Sequence, residues 1–166
     1  MLNLFGGKKS SCQELVTEVL SELLEGGQLL LSFQVEQKEG NLSVDIFGED
    51  EGLLKTKRGK LLLALQTYLL QVVYKNFPKE KIKISLDSNG FWKEQEEKLL
   101  SLADHLIDKA LASNKPVVFK QALSPYQRRL IHEKVSGNTG VRSQSFGSGV
   151  YKSLKLIPDT FRSDKE

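Results

Sequence analysis

A basic loop at the start of an apolar helix is the first group of residues with the chemistry of a binding site. Residues 52–70, GLLKTKRGKLLLALQTYLL, place an apolar pair before the loop and a long apolar run after it. The loop holds four basic residues around one glycine, namely Lys55, Lys57, Arg58, Gly59 and Lys60. The N–H groups at a helix N-terminus attract anions, and Lys and Arg add ionic contacts to a polyanion. This order predicts a site for a phosphate backbone, although a solvated loop would have the same composition.

The second group lies in residues 124–132, SPYQRRLIH. Ser124 and Pro125 are typical of a helix start, and Gln127 completes a capping box. Arg128 and His132 are four residues apart, so both project from one face of that helix. We predict that Arg128 contacts phosphate, that His132 contacts phosphate or stacks on a base, and that the neighbouring Arg129 belongs to the same surface. The alternative is a packing role for His132 and a solvated helix face for Arg128.

Positive charge is concentrated in the C-terminal half of the chain. The whole chain has a formal net charge of +3, and residues 1–88 hold 11 basic against 12 acidic side chains. Residues 115–156 hold eight basic residues and one acidic residue, Glu133, a net charge of +7. Such a concentration is expected of a protein that binds a polyanion. We therefore predict that these cations gather on one surface.

Catalysis and metal binding are poorly supported by the composition. The chain has two histidines, one cysteine (Cys12), and a single carboxylate, Glu133, in its most basic segment. Those residues supply neither a paired general acid and base nor a metal-ligand spacing. No apolar run approaches the roughly 20 residues of a membrane span, and a lone cysteine fits a reducing compartment. We predict a cytoplasmic protein with no enzymatic activity, no metal, no cofactor and no membrane span.

Hydrophobic periodicity predicts the elements that position these groups. The first unit, residues 11–88, is expected to run helix, two strands, short helix, basic loop, helix and strand. The helix over residues 60–75 is apolar on nearly every side, so it must be covered by the sheet and by something else. The second unit, residues 89–157, is expected to run helix, strand, helix and a hairpin of strands 141–146 and 150–157, with Leu102 on the inward side of its first helix. Polar tails are predicted at 1–10 and 158–166, and the fold class is α+β with small, mostly antiparallel sheets.

Both units resemble parts of a known family. The element order of the first unit resembles a type II KH domain, in which a GxxG loop clamps nucleic-acid backbone. Leu53-Leu54, the loop Thr56–Gly59 and Ala64-Leu65-Gln66 resemble the form of this region in the bacterial Jag family, the SpoIIIJ-associated proteins. The pair Arg128 and His132 resembles the motif of the Arg-x-x-x-His (R-3-H) domain that follows KH in that family. The resemblance covers roughly residues 29–157.

The resemblance implies a cytoplasmic RNA-binding protein without known catalytic activity. It also implies a link to the control of cell elongation and envelope synthesis, and pairing with a small single-KH protein. We therefore expect single-stranded RNA as the partner. Two alternatives stay open. One is a protein-interaction module that pairs with another KH protein or with itself, and the other is single-stranded DNA binding.

Thr56 departs from the family pattern. It occupies the first glycine position of the GxxG loop, where a Cβ would narrow the approach of a nucleic-acid backbone. A β-branched residue also disfavours positive φ. We predict a weakened KH loop, and we predict that Thr56→Gly strengthens RNA binding.

Overall fold

The computed structural model describes residues 11–38 and 40–161, and these form two compact units. Unit 1 ends at Trp92 and unit 2 begins at Lys93, shortly after the predicted boundary at residue 88. The predicted N-terminal tail, 1–10, lies outside the described residues. Across 11–38 and 40–161, the helices are all too short or too polar to cross a membrane.

Unit 1 is a three-stranded sheet with two helices. Ser11 caps the first helix by accepting a hydrogen bond from the backbone N–H of Glu14. The strand that follows this helix alternates between half-buried and exposed side chains along its first half. The two strands after the helix form an antiparallel hairpin with Gly40 at the turn (φ +79°), and the last strand lies parallel to the second. The elements are α1 (Cys12–Gly26), β1 (Leu31–Lys38), β2 (Asn41–Gly48), α2 (Glu51–Asn76) and β3 (Lys83–Asp87).

The core of unit 1 lies between the sheet and the apolar faces of α1 and α2. Its members include Leu15, Leu20, Leu42, Ile46, Leu54, Leu62 and Leu69, none of which retains accessible surface. The predicted coverage of α2 on more than one face is incomplete, however. Within the described part of the chain, the segment of α2 after Gly59 keeps four large apolar side chains exposed by between 41% and 48%, with Leu61 and Tyr68 on one flank of the buried stripe and Leu63 and Tyr74 on the other.

Unit 2 is a three-stranded antiparallel sheet with two helices. Its elements are α3 (Phe91–Ser113), which begins within unit 1, β4 (Val117–Val118), α4 (Pro125–Ser136), β5 (Val141–Phe146) and β6 (Ser153–Pro158). The strand order is β4-β6-β5, so β5 is an edge strand. Three expectations need correction. Leu102, expected inside, is 40% exposed; the last strand begins at Ser153, after residue 150; and Pro158, expected in the tail, is buried in that strand.

Candidate nucleic-acid interface

Helix α4 begins where the sequence predicts and carries Arg128 and His132 on one face. The capping box is complete, because Ser124 Oγ accepts from the Gln127 N–H and the Gln127 side chain accepts from the Ser124 N–H. Ile131 and Val135 anchor the helix in the core of unit 2. With the helix start and inner face fixed, Arg128 and His132 are directed toward β5 and the loop that follows it.

Two serines hold the imidazole ring of His132. Its Nδ1 lies 2.6 Å from Ser143 Oγ, and its Nε2 lies 3.0 Å from Ser145 Oγ. Ser143 and Ser145 are two residues apart on β5, so both side chains point to the face that α4 covers. Burial lowers the pKa of His132, and the positive charge of Arg128 lowers it further. At neutral pH the ring is therefore an uncharged group that is fixed in orientation.

Arg128 is the cation of this site. Its Nη2 donates to the backbone carbonyl of Val150 at 3.3 Å. Its Nε is buried and has no hydrogen-bond acceptor among the residues that the structure describes. Within those same residues no carboxylate pairs with the guanidinium. A guanidinium that is partly removed from solvent and has no carboxylate partner binds phosphate strongly. We call Arg128, His132, Ser143 and Ser145 the helix-side site.

The structure separates Arg129 from this site. Its Nε donates to Glu133 Oε1 at 2.8 Å, on an exposed part of the helix. Lys134 is similarly paired with Asp104 at 3.0 Å. Two of the eight cations in the basic segment are therefore already neutralised by neighbouring carboxylates. The predicted grouping of Arg129 with Arg128 and His132 is not what the geometry shows.

The basic residues of unit 2 also do not form the single surface that the sequence predicts. Ser143 and Ser145 face α4, so the alternating residues Arg142 and Gln144 face the opposite side of the sheet. Lys155 pairs directly with Gln144 and lies on that opposite side too. The expectation was wrong because a charge count along the chain ignores strand alternation.

The basic loop of unit 1 interrupts α2 and leaves three cations exposed. Lys57 (φ 48°, ψ 39°), Arg58 (φ 62°, ψ 41°) and Gly59 (φ 73°, ψ 23°) are consecutive left-handed residues. This conformation breaks the helix at these residues, and the side chains of Lys57 and Arg58 are exposed. Lys60 is exposed as well. Among the described residues none forms an ion pair with Lys57, Arg58 or Lys60.

Three other loop residues differ from their predicted roles. Thr56 has a φ of −60°, which a β-branched residue adopts readily, and its Oγ1 donates to the Leu53 carbonyl at 2.7 Å. Lys55 is half-buried and paired with Glu51 at 2.8 Å, so it is not an open cation. Gly59 is buried, and a Cβ there would lie 2.6 Å from Phe91 Cε1. Gly59 therefore has a packing role, and its predicted contact with RNA stays a prediction.

Some residues of the helix-side site were missed by the sequence prediction. Ser143 and Ser145 were predicted only as strand residues, and the Val150 carbonyl was not considered. The available indication was the Ser-x-Ser spacing in a strand that also carries a basic residue, which places two hydroxyls on one face. The pairing with His132 depends on how α4 packs on β5, which spacing alone does not give. Throughout 11–38 and 40–161, His, Cys, Asp and Glu side chains form no group suited to holding a metal ion.

The helix-side site lies in a part of the chain that is similar to a known domain family. The R-3-H domain family matches residues 97–158, which include Arg128 and His132. The chain is 26% identical over 147 residues to the RNA-binding protein KhpB of Clostridium symbiosum, covering 87% of this chain and 65% of that protein. It is 29% identical over 124 residues to the RNA-binding protein KhpB of Bacillus subtilis, covering 74% of this chain and 59% of that protein.

These matches confirm the predicted resemblance to the Jag family and the predicted R-3-H domain. The chain spans less than two thirds of the length of either relative. The KH-like assignment of unit 1 stays a prediction. It is consistent with the α-β-β-α-β order, the parallel pairing of β2 with β3 and the loop that interrupts α2.

Proposed function

We propose that this chain, whose residues 97–158 match the R-3-H domain family, binds single-stranded RNA without catalysing a reaction on it. The main contact is the helix-side site, with Arg128 on a phosphate and the ring of His132 against the sugar or base. The observation that carries the proposal is an unneutralised Arg128 beside a His132 ring fixed by two serines. Both relatives are named as RNA-binding proteins, which supports RNA as the ligand.

The loop of unit 1 supplies a second, weaker contact in this proposal. Lys57 and Arg58 are exposed just before the part of α2 that follows the loop. At that position the two cations and the dipole of the helix act on the same anion. The Cβ of Thr56 limits how closely a backbone approaches. A cytoplasmic location and a role in cell elongation or envelope synthesis remain part of the proposal through the family resemblance alone.

Titration of labelled single-stranded RNA, single-stranded DNA and duplex RNA at several salt concentrations tests the proposal. Single-stranded RNA should bind with an affinity that decreases with salt, because each phosphate contact releases counterions. Preference for single-stranded DNA would assign the site to the predicted alternative ligand. Failure to bind any of the three would refute nucleic-acid binding.

Arg128→Ala and Arg129→Ala form a matched pair for the site itself. Both remove one positive charge from the same helix, but only Arg128 lacks a carboxylate partner among the described residues. Arg128→Ala should weaken RNA binding roughly ten-fold, the usual effect of losing a charged hydrogen bond, and Arg129→Ala should weaken it less. Equal losses would mean that only overall charge matters. The double variant Arg128→Ala/His132→Ala should also weaken binding more than Lys57→Ala/Arg58→Ala.

A protein-interaction module is the second candidate, and exposed apolar side chains on α2 favour it. Helical spacing places Leu61 with Tyr68 on one flank of the buried stripe and Leu63 with Tyr74 on the other, each more than 40% exposed. Exposed apolar side chains of this size are buried when a protein partner binds over them. The partner would be a second copy of this chain or another KH protein, as the family resemblance implies. A monomeric elution volume that Tyr68→Lys leaves unchanged would exclude self-association through the Leu61/Tyr68 flank.

A further inference from the structure

The side of the unit 2 sheet that faces away from α4 carries basic, amide and apolar side chains together. Alternation along β5 places Arg142, Gln144 and Phe146 on this side, and Lys155 joins them through its pairing with Gln144. Val118 on β4 is paired with Lys155, so it lies on the same side. We call this surface, formed by Val118, Arg142, Gln144, Phe146 and Lys155, the outer sheet face.

The outer sheet face combines an exposed aromatic ring with positive charge. Phe146 is 41% exposed, and Lys155 Nζ lies 5.9 Å from the centre of its ring. Arg142 is exposed on the same strand, and β4, β5 and β6 contain no acidic residue. An aromatic ring on a sheet stacks with an unpaired base, and adjacent cations neutralise the flanking phosphates. Duplex bases are already stacked, so this combination favours a single strand.

Both contact surfaces share strand β5. The helix-side site uses Ser143 and Ser145 of β5, and the outer sheet face uses Arg142, Gln144 and Phe146 of the same strand. Among the described strands, β5 pairs with β6 alone, so it is the edge of its sheet. A flexible single strand that crosses this edge can contact Arg128 on one side and Phe146 on the other. A rigid duplex cannot bend around an edge one strand wide.

We propose that the outer sheet face is a second contact surface for the same single strand of RNA. One base stacks on Phe146, and Arg142 and Lys155 neutralise adjacent phosphates. This inference rests on the proposed function, and it adds that the strand passes over the β5 edge from the helix-side site. A longer RNA then gains contacts that a very short RNA does not reach.

Fluorescence anisotropy of the full chain with labelled single-stranded RNAs of about four and about sixteen nucleotides tests this surface. Phe146→Ala should weaken binding of the longer RNA roughly five-fold or more, the usual effect of losing one stacked base. Phe146→Tyr keeps an aromatic ring and should bind like the wild type. Binding of the shorter RNA should change little in either variant, because the helix-side site is unaltered.

Charge on the outer sheet face is tested with a second matched pair. Arg142→Gln/Lys155→Gln removes two cations from this surface, and Lys79→Gln/Lys81→Gln removes two exposed cations of unit 1. The first double variant should reduce affinity for the longer RNA and the steepness of its salt dependence, and the second should have a smaller effect. Photocrosslinking of RNA containing 5-iodouridine should give an adduct at Phe146, which requires no variant to fold.

The outcomes separate this inference from the proposed function. If Arg128→Ala weakens binding while the Phe146 and Arg142/Lys155 variants bind the longer RNA like the wild type, the outer sheet face is refuted and the helix-side site stands. An adduct elsewhere but none at Phe146 refutes the stacking contact. If the wild type binds no single-stranded RNA, both proposals fail. Circular dichroism melting curves check that each variant is folded.

Discussion

Gly59→Ala is expected to destabilise unit 1 because this glycine lies against two aromatic rings. A Cβ at this position would lie 2.6 Å from Phe91 Cε1 and 2.7 Å from Trp92 Cη2. The rings cannot readily move apart. Phe91 is only 4% exposed, its ring meets that of Trp92 edge-on at 5.0 Å between centroids, and Trp92 Nε1 donates to the Leu86 carbonyl at 2.8 Å.

Two costs combine at this position. A non-glycine residue in a left-handed conformation is less stable by about 1–2 kcal/mol, and Gly59 has a φ of +73°. Forcing an extra carbon into a packed core costs about 1–3 kcal/mol more. The free energy of unfolding should therefore decrease by about 2–5 kcal/mol in Gly59→Ala. Gly52→Ala is the matched control in the same helix, since no atom lies within 4 Å of its added Cβ.

Urea unfolding followed by tryptophan fluorescence measures both variants, because Trp92 is the only tryptophan in the chain and contacts the altered residue. Gly52→Ala should be more stable than the wild type by about 0.5–1 kcal/mol, since alanine favours the helix. Wild-type stability in Gly59→Ala would refute the packing role. If that variant were stable yet bound RNA weakly, the role in RNA contact predicted from the sequence would be correct after all.

Three further variants test individual residues of the two sites. Burial lowers the pKa of His132 in the folded protein below its ordinary value of 6.5, so the unfolded chain binds a proton at His132 more readily than the folded protein does. The neutral ring of His132 therefore contributes its full stabilisation above pH 6.5, and this stabilisation is lost as the pH falls through the lower pKa of the folded state. Melting temperatures measured by circular dichroism between about pH 7.5 and about pH 5.5 should therefore decrease more in the wild type than in His132→Gln, and equal decreases would contradict the shift. Thr56→Gly should strengthen RNA binding, because it removes a Cβ from the loop. It should also lower the free energy of unfolding of unit 1 by about 1 kcal/mol, because the hydrogen bond to Leu53 is lost. Anisotropy titration measures the first effect and urea unfolding the second. Lys55→Ala should weaken RNA binding less than Lys57→Ala, because Lys55 is paired with Glu51; the opposite order in anisotropy titrations would show that the ion pair opens to RNA.

Local rules predicted the parts of the fold that depend on neighbouring residues. The capping box at Ser124 and Gln127 and the helical spacing of Arg128 and His132 were visible because each contact joins residues within one helical turn. The β5–β6 hairpin was predicted for a similar reason, since its connecting loop contains Gly147 and Gly149, both with positive φ.

The features that the sequence did not predict depend on contacts between residues far apart in the chain. Gly59 is buried by Phe91 and Trp92, which follow it by more than thirty residues, so its packing role has no local pattern. The serines that hold His132 depend on the packing of α4 on β5. Leu102 is exposed although it has helical spacing, because the apolar stripe of α3 is wider than the surface that covers it.

The division of charge across the unit 2 sheet determines what an RNA titration can reveal. Arg129 and Lys134 are paired with carboxylates, which leaves Arg128 as the open cation of the helix-side site among the described residues. One phosphate contact with a single strand gives a slope of log affinity against log salt of about −0.7. Adding Arg142 and Lys155 on the outer sheet face makes that slope about −2. Contacts at Lys57 and Arg58 add to the slope equally in every variant with an intact loop. The change in slope between the wild type and Arg142→Gln/Lys155→Gln, about 1.4, therefore reports whether RNA remains on one side of β5 or crosses its edge, which an affinity at one salt concentration does not distinguish.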